Sequence, residues 1–168
     1  PQKQISPLAY SLYINPDVDE LELHFDDGGH GTHVAGIAAG YKVHGKEDLH
    51  GIAPGAEVMS LKIGNNALAG GATTTESKKK AIEFAGEWSK KMNRPVVLNL
   101  SYGIGSETEG HSEIDQLVTD MLQKYPDTLY MSTSAGNSGP SISNVGQPAG
   151  STLSFSAAAA LTRENAKI

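Results

Sequence analysis

The sequence predicts an α/β fold in three layers: a mostly parallel sheet with helices on both faces, incomplete in this chain. The first observation is that strand-like and helical periodicities alternate along most of the 168 residues. The second is that the strand-like runs are almost wholly apolar, as expected for strands buried on both faces. This order implies right-handed βαβ crossovers, and such sheets bind ligands beyond the carboxyl ends of their strands.

Length, charge and composition exclude several classes of protein. The 168 residues suffice for one domain with a core, and no apolar run approaches the length of a membrane span. The net charge is −6, and the one basic cluster, Lys78-Lys79-Lys80, is expected on a solvated helix face, so no nucleic-acid partner is expected. The chain has no cysteine, which excludes disulfides, a thiol nucleophile and thiolate metal sites.

Helical stripes and chain breaks set the expected elements. Apolar residues repeat at helical spacing from Ile114 to Tyr125 before Pro126, and Ser112 is the expected N-cap of that helix. An earlier helix ends before Pro95 and has the apolar stripe Ala81, Ala85, Trp88 and Met92. We therefore expect helices at 34–39, 76–92 and after Ser112, and strands at 57–63, 96–101, 128–134 and 153–160.

Two histidines lie among glycines in the stretch DGGHGTHVAG, where His30 and His33 are three residues apart. Zinc peptidases space such histidines at i and i+4 with a glutamate between them, so the pattern does not fit a zinc site. One interpretation is that His30 does no more than cap the helix. The small neighbours also suit an imidazole that a substrate must approach closely, which would need a carboxylate partner to act as a base. His33 is expected to be a partly buried structural residue.

A second polar segment follows the strand expected at 128–134. Ser134-Ala135-Gly136-Asn137-Ser138-Gly139 has good turn chemistry, and a turn is one interpretation. The other is that the Asn137 amide donates a hydrogen bond to a developing oxyanion at the carboxyl end of the strand.

Four motifs in order resemble the subtilisin-like serine proteases, or subtilases, over about residues 26–160. They are HGTHVAGIAAG from His30, GIAPGAEVMSLKIG at 51–64, VVLNLSYG at 96–103 and TSAGNSGP at 133–140. Within that family, the NLSYG and SAGNSGP motifs are most similar to those of the tripeptidyl-peptidase-II-like branch.

The resemblance implies peptide-bond hydrolysis by a Ser-His-Asp mechanism on a peptide or protein substrate. His30 would be the general base and acid, and Asn137 the oxyanion donor. The P1 pocket would be lined by Ser101, Tyr102, Gly103, Ser134, Ala135 and Gly136. A backbone edge that pairs with substrate would be formed by Ala69, Gly70 and Gly71.

The chain departs from the family pattern at the other two triad positions. No serine motif occurs, and Ser138 is rejected because the Gly-Asp-Ser-Gly pattern that it resembles belongs to all-β proteases. Asp17 matches the aspartate motif poorly, and Asp27 is too close to His30 to be its usual partner. We therefore expect 1–25 to be the tail of an insertion or linker, 26–168 to be the central part of a peptidase domain, and the isolated chain to be inactive.

Alternatives from other classes are a non-catalytic peptide-binding module and a metal-dependent hydrolase built on His30 and His33. No cofactor or metal is expected. A structural calcium ion near Glu47 and Asp48 would need more oxygen ligands than these two acids supply. The other interpretation of this segment is a solvated surface loop. No membrane partner is expected, and a homo-oligomer could form through uncovered sheet surface. The lack of cysteine leaves the compartment open, with a secreted or periplasmic location favoured.

Overall fold

The computed structural model describes residues 9–67, 72–105, 108–164 and 166. It divides into two compact units, residues 1–74 and residues 75–168, and each is described by itself. None of the helices in the described part of the chain is long and apolar enough to cross a membrane.

The first unit begins with an antiparallel hairpin of β1 (Tyr10–Asn15) and β2 (Glu20–Phe25). One face of the hairpin carries three apolar cross-strand pairs: Tyr10 with Phe25, Leu12 with Leu23, and Ile14 with Leu21. The other face carries mainly polar side chains, because successive residues of a strand point to opposite faces. The hairpin was not predicted, and the assignment of residues 1–25 to an insertion or linker stays a prediction.

A helix, a short 3₁₀ turn and a small hairpin follow in the same unit. The helix α1 is His30–Ala39, the 3₁₀ turn is Val43–Gly45, and β3 (Gly64–Asn65) pairs antiparallel with β4 (Ala72–Thr73). The prediction of a strand at 57–63 is wrong, because this segment is irregular. Its apolar alternation has the local propensity of a strand, but no described segment of the unit pairs with it.

The second unit contains the predicted α/β arrangement. Along the chain it has α2 (Thr75–Met92), β5 (Val96–Leu100), α3 (Glu113–Lys124), β6 (Leu129–Ser134) and β7 (Phe155–Ala157). The three strands form a parallel sheet in the order β5-β6-β7. The helices pack against each other and against β6. The predicted α/β class is confirmed, with an incomplete sheet.

Helix α3 buries the face that its periodicity predicts. Its described buried apolar residues are Ile114, Val118, Met121 and Leu122, followed by Tyr125 just after the helix. The Ser112 hydroxyl accepts a hydrogen bond from the backbone N–H of Asp115 at 3.1 Å, which confirms the predicted N-cap. Asp115 is also buried on this face, which hydrophobic periodicity alone could not indicate.

The stripe predicted for α2 is only partly right. Ala85 is fully buried, but Met92 at the end of the stripe is exposed, and the buried face runs through Lys78, Ile82, Gly86 and Ser89 instead. The face is rotated because the Tyr125 ring lies against the Gly86 backbone, where a Cβ would come within 2.4 Å of a ring carbon. The Ser89 hydroxyl lies within hydrogen-bond distance of the Arg94 and Thr128 carbonyls, just before β5 and β6, and donates its one proton to one of them at a time.

The expectation that the lysine cluster is solvated is wrong for its first member. Lys78 is 5% exposed, and its Nζ lies 4.5 Å from the centre of the Tyr102 ring. The ring face attracts the ammonium group, and the aliphatic stem packs in the core. Lys79 and Lys80 are exposed, as expected.

One face of the three-stranded sheet carries large exposed apolar side chains. Val97 is 71% exposed, its neighbour Tyr130 in the ladder is 44% exposed, and Phe155 on β7 is 74% exposed. Parallel sheets are normally covered on both faces. This face of the sheet therefore lacks a covering layer among the described residues.

Removing the cap of α3 should destabilise the second unit. We expect Ser112→Ala to lower the free energy of unfolding by about 1 kcal/mol, because the N–H of Asp115 loses its acceptor. Ser112→Thr keeps the hydroxyl and is the matched control. Urea unfolding measures both variants, and equal stabilities of Ser112→Ala and Ser112→Thr would contradict the role of the cap.

Candidate functional site

His30 lies in the first turn of α1 and has glycines on both sides in the sequence. His30 is the first residue of the helix, and Gly29 before it adopts a left-handed conformation with φ of 71°. A side chain at Gly29 would be strained in this conformation. Because glycine has no side chain, the residue at the N-cap position cannot itself satisfy the first N–H groups of the helix.

The Asp26 carboxylate satisfies those groups instead. One oxygen, Oδ1, accepts from the backbone N–H of Gly28 at 3.0 Å and of Gly29 at 2.7 Å. The other, Oδ2, accepts from the backbone N–H of Thr32 at 2.9 Å and from the Thr32 hydroxyl. The Thr32 hydroxyl, followed by the three backbone donors, holds the pKa of Asp26 well below its ordinary value. This carboxylate is therefore anionic at every pH near neutrality.

The adjacent Asp27 attaches the same turn to a later segment. Its carboxylate contacts the Lys62 ammonium at 2.6 Å and accepts from the backbone N–H of Asn66 at 2.8 Å. The hydrogen bond from Lys62, and then the one from Asn66, lower the pKa of Asp27. The positive charge of Lys62 is thus paired within the unit.

The two histidines of α1 are both exposed. The prediction that His33 is partly buried is therefore wrong; α1 has small residues on most sides and no buried residue of its own. The His30 imidazole makes no hydrogen bond or ion pair with any residue in the described ranges. Neither ring nitrogen therefore binds another described residue.

In the second unit, the carboxyl ends of β5 and β6 bring two predicted substrate-binding segments together. Leu100 pairs with Thr133 in the parallel ladder, so Ser101–Gly103 and Ser134–Gly136 leave the sheet side by side. The Ser134 hydroxyl donates to the Tyr102 carbonyl at 3.4 Å. The Asn99 amide donates to the Ser101 hydroxyl at 2.9 Å. The ladder brings the two segments side by side, and their role as the lining of a P1 pocket stays a prediction.

The chain beyond β6 carries Asn137 in an exposed bend. The Ala135 N–H donates to the Ala157 carbonyl at 2.9 Å, and the Ala135 carbonyl accepts from the Gly146 N–H at 3.0 Å. Gly136 then turns with φ of 102°, a conformation that favours glycine. The Asn137 carboxamide is exposed and forms no hydrogen bond with the residues that the structure describes. Its amide donors are therefore available to a ligand.

Loops that flank this end of the sheet are braced by groups that sequence reasoning missed. Ile104 and Gln147 exchange two backbone hydrogen bonds, of 3.2 and 2.8 Å. The Asp115 carboxylate, only 1% exposed, accepts from the N–H groups of Gly110 and Gly150, each at 3.1 Å. An acidic residue in the first turn of α3 was the available signal, since helix N-termini favour anions.

The roles predicted for all of these site residues stay predictions. Ala69, Gly70 and Gly71, the predicted substrate-pairing edge, lie outside the described residues. His30 belongs to the first unit and Asn137 to the second, and their common cleft belongs to the proposal below. Among the residues that the structure describes, no three His, Asp or Glu side chains form a group that could hold a metal ion.

Comparisons with known proteins agree with the motifs. The family model of the subtilase family, Peptidase_S8, matches residues 9–167. The chain is 31% identical to tripeptidyl-peptidase 2 of Caenorhabditis elegans over 95% of its length, and 38% identical to the Arabidopsis thaliana protein of the same name over 80%. It covers 11% and 9% of those proteins. It is 33% identical to a Bacillus subtilisin over 81% of its length and covers 30% of that protein.

Solved structures of proteases share the fold. The S41 psychrophilic protease aligns with a TM-score of 0.64 and 27% identity, over 80% of this chain and 42% of that protease. Sphericase aligns with a TM-score of 0.60 and 25% identity, over 73% of this chain and 37% of that protein. The chain therefore belongs to the subtilase family, of whose curated members named above it spans less than a third.

Proposed function

We propose that this chain supplies the central part of a subtilisin-type serine peptidase domain, which hydrolyses peptide bonds in a peptide or protein substrate. His30 is the general base and acid, Asn137 is the oxyanion donor, and the remainder of the domain supplies the serine nucleophile and the aspartate. The observation that carries the proposal is that His30 and Asn137, the two side chains matched to the family's chemistry, are both exposed and unengaged by described residues.

In this mechanism His30 moves one proton in each direction. Its ring accepts the proton of the serine hydroxyl as the serine oxygen attacks the scissile carbonyl, and the imidazolium then donates that proton to the leaving amine. Water repeats the sequence on the acyl-enzyme and regenerates the serine. The Asn137 amide donates a hydrogen bond to the oxyanion that forms in each half of the reaction.

The segments at the ends of β5 and β6 bind the residue before the scissile bond. Their mutual contact, the Ser134 hydroxyl on the Tyr102 carbonyl, makes them two walls of one small region beside Asn137. The predicted edge at 69–71 would add backbone pairing with an extended substrate. Because relatives are named tripeptidyl-peptidase 2, release of tripeptides is the first activity to assay.

Replacement of His30 tests the base. In the full-length protein we expect His30→Ala to lower kcat by on the order of 10⁶-fold with little change in KM, the size of effect known for the equivalent subtilisin residue. The measurement is steady-state hydrolysis of a tripeptide amide. His24→Ala removes a half-buried imidazole of β2 that pairs with Glu22 at 2.8 Å and lies outside the proposed site, and it is the control. Comparable activities of the two variants would contradict the assignment.

Replacement of Asn137 tests the oxyanion donor separately. We expect Asn137→Ala to lower kcat by about 10²–10³-fold at constant KM, as removal of this donor does in subtilisin. Asn144→Ala is the control for disturbance of the same loop, since among the described residues the Asn144 amide donates only to the nearby Ser141 carbonyl. A loss no larger than that of the control would remove Asn137 from the mechanism.

The division of the active site between this chain and the rest of the domain has its own test. We expect an active-site phosphonate to label the full-length protein and to leave the isolated 168-residue chain unlabelled, because no acyl-enzyme can form without the nucleophile. Labelling of the isolated chain would contradict this division. A full-length protein that binds peptides without labelling would be a non-catalytic binding module.

A further inference from the structure

We propose that Asp26 is a positioning residue for His30, one that fixes the first turn of α1 and stabilises the imidazolium from the helix terminus. This inference rests on the proposed function of His30. Asp26 is distinct from the triad aspartate, because it acts on the backbone around His30 and makes no hydrogen bond to the imidazole.

The hydrogen bonds of Asp26 enclose His30 from both sides along the chain. Oδ1 holds Gly28 and Gly29, which precede the histidine, and Oδ2 holds Thr32, which follows it by two residues. The distances of 2.7–3.0 Å are those of strong bonds to a charged acceptor. One carboxylate therefore fixes the backbone on each side of the proposed base.

The glycines make such a clamp necessary. Gly28, Gly29 and Gly31 surround His30, and glycine has more backbone freedom to lose than any other residue. The N-cap residue, Gly29, provides no side-chain hydrogen bond. A turn of this composition needs an external acceptor if the imidazole is to keep one position, and small displacements of a catalytic group are costly in rate.

The charge of Asp26 has a second effect on His30. Helix N-termini carry partial positive charge, which disfavours a cation on the first turn. The anionic Asp26 lies at that terminus and offsets the partial charge. The other ionised groups tied to this turn, Asp27 and Lys62, are paired with each other. His33 and Asp26 thus remain as the titratable groups of the turn itself.

Three variants of the full-length protein and one control variant separate the effect of the hydrogen bonds from the effect of the charge. Asp26→Asn keeps the shape, removes the charge and turns an amide N–H₂ towards a backbone donor. Thr32→Val removes the hydroxyl donor and keeps the charge, and Thr32→Ser restores the hydroxyl. Glu20→Gln makes the same charge change as Asp26→Asn on the exposed start of β2, about 20 Å of extended chain away.

The readouts are kcat, KM and the acid limb of kcat/KM against pH, which reports the pKa of the base in the free enzyme. We expect Asp26→Asn to lower kcat about tenfold at constant KM and to move the acid limb about half a pH unit lower, because the imidazolium loses a stabilising anion. We expect Thr32→Val to lower kcat less without moving the acid limb, Thr32→Ser to recover it, and Glu20→Gln to match wild type.

The outcomes distinguish this inference from the proposed function. If His30→Ala abolishes activity while Asp26→Asn leaves both kcat and the acid limb at wild-type values, the positioning role is overturned and the function of His30 stands. If His30→Ala is active, the proposed function fails. If Asp26→Asn does not fold, Thr32→Val and Thr32→Ser decide: a kcat loss in the first that the second recovers supports the clamp, and equal kcat values overturn it.

Discussion

The parallel ladder between β5 and β6 is the constraint on which the proposed substrate-binding segments depend. Pairing of Leu100 with Thr133 fixes both strands so that their carboxyl ends leave the sheet together. That register places the segment after β5 beside Ser134, whose hydroxyl donates to the Tyr102 carbonyl. A shift of one residue would move alternate side chains to the opposite face, so the register and the core under it are specified together.

In the first unit, hydrogen bonds to a carboxylate fix the position of the proposed base. There His30, the proposed base, begins a helix that follows two glycines, and the Asp26 carboxylate fixes this turn by accepting hydrogen bonds from several donors. The depressed pKa of Asp26 means that its hydrogen bonds stabilise the fold at pH values above the ordinary carboxyl pKa near 4 and that this contribution declines as the pH falls below it. The two units thus expose their proposed catalytic groups by separate means.

The periodicity of the sequence correctly predicted the features that depend on interactions between residues close together in the chain. The cap at Ser112 and the stripe of α3 depend on residues within a few positions, and both are confirmed. The strand at 57–63 failed because a strand also needs a partner, which no local pattern supplies. Burial of Lys78 depends on Tyr102, 24 positions later (102 − 78), and was equally beyond local reasoning. The β1–β2 hairpin was within reach, since YSLYIN and ELELHF alternate at period two.

The candidate site divides in the same way. His30 and Asn137 were identifiable because their motifs are short and continuous, whereas the bracing carboxylate of Asp115 joins loops 40 residues apart (150 − 110).

The most direct measurement is a crystal structure of the full-length protein with a peptide boronic acid bound. We expect one boronate oxygen within about 2.7–3.1 Å of the Asn137 amide nitrogen and another within hydrogen-bond distance of a His30 ring nitrogen. An adduct that contacts only one of these side chains, or neither, would contradict their joint action on one carbonyl.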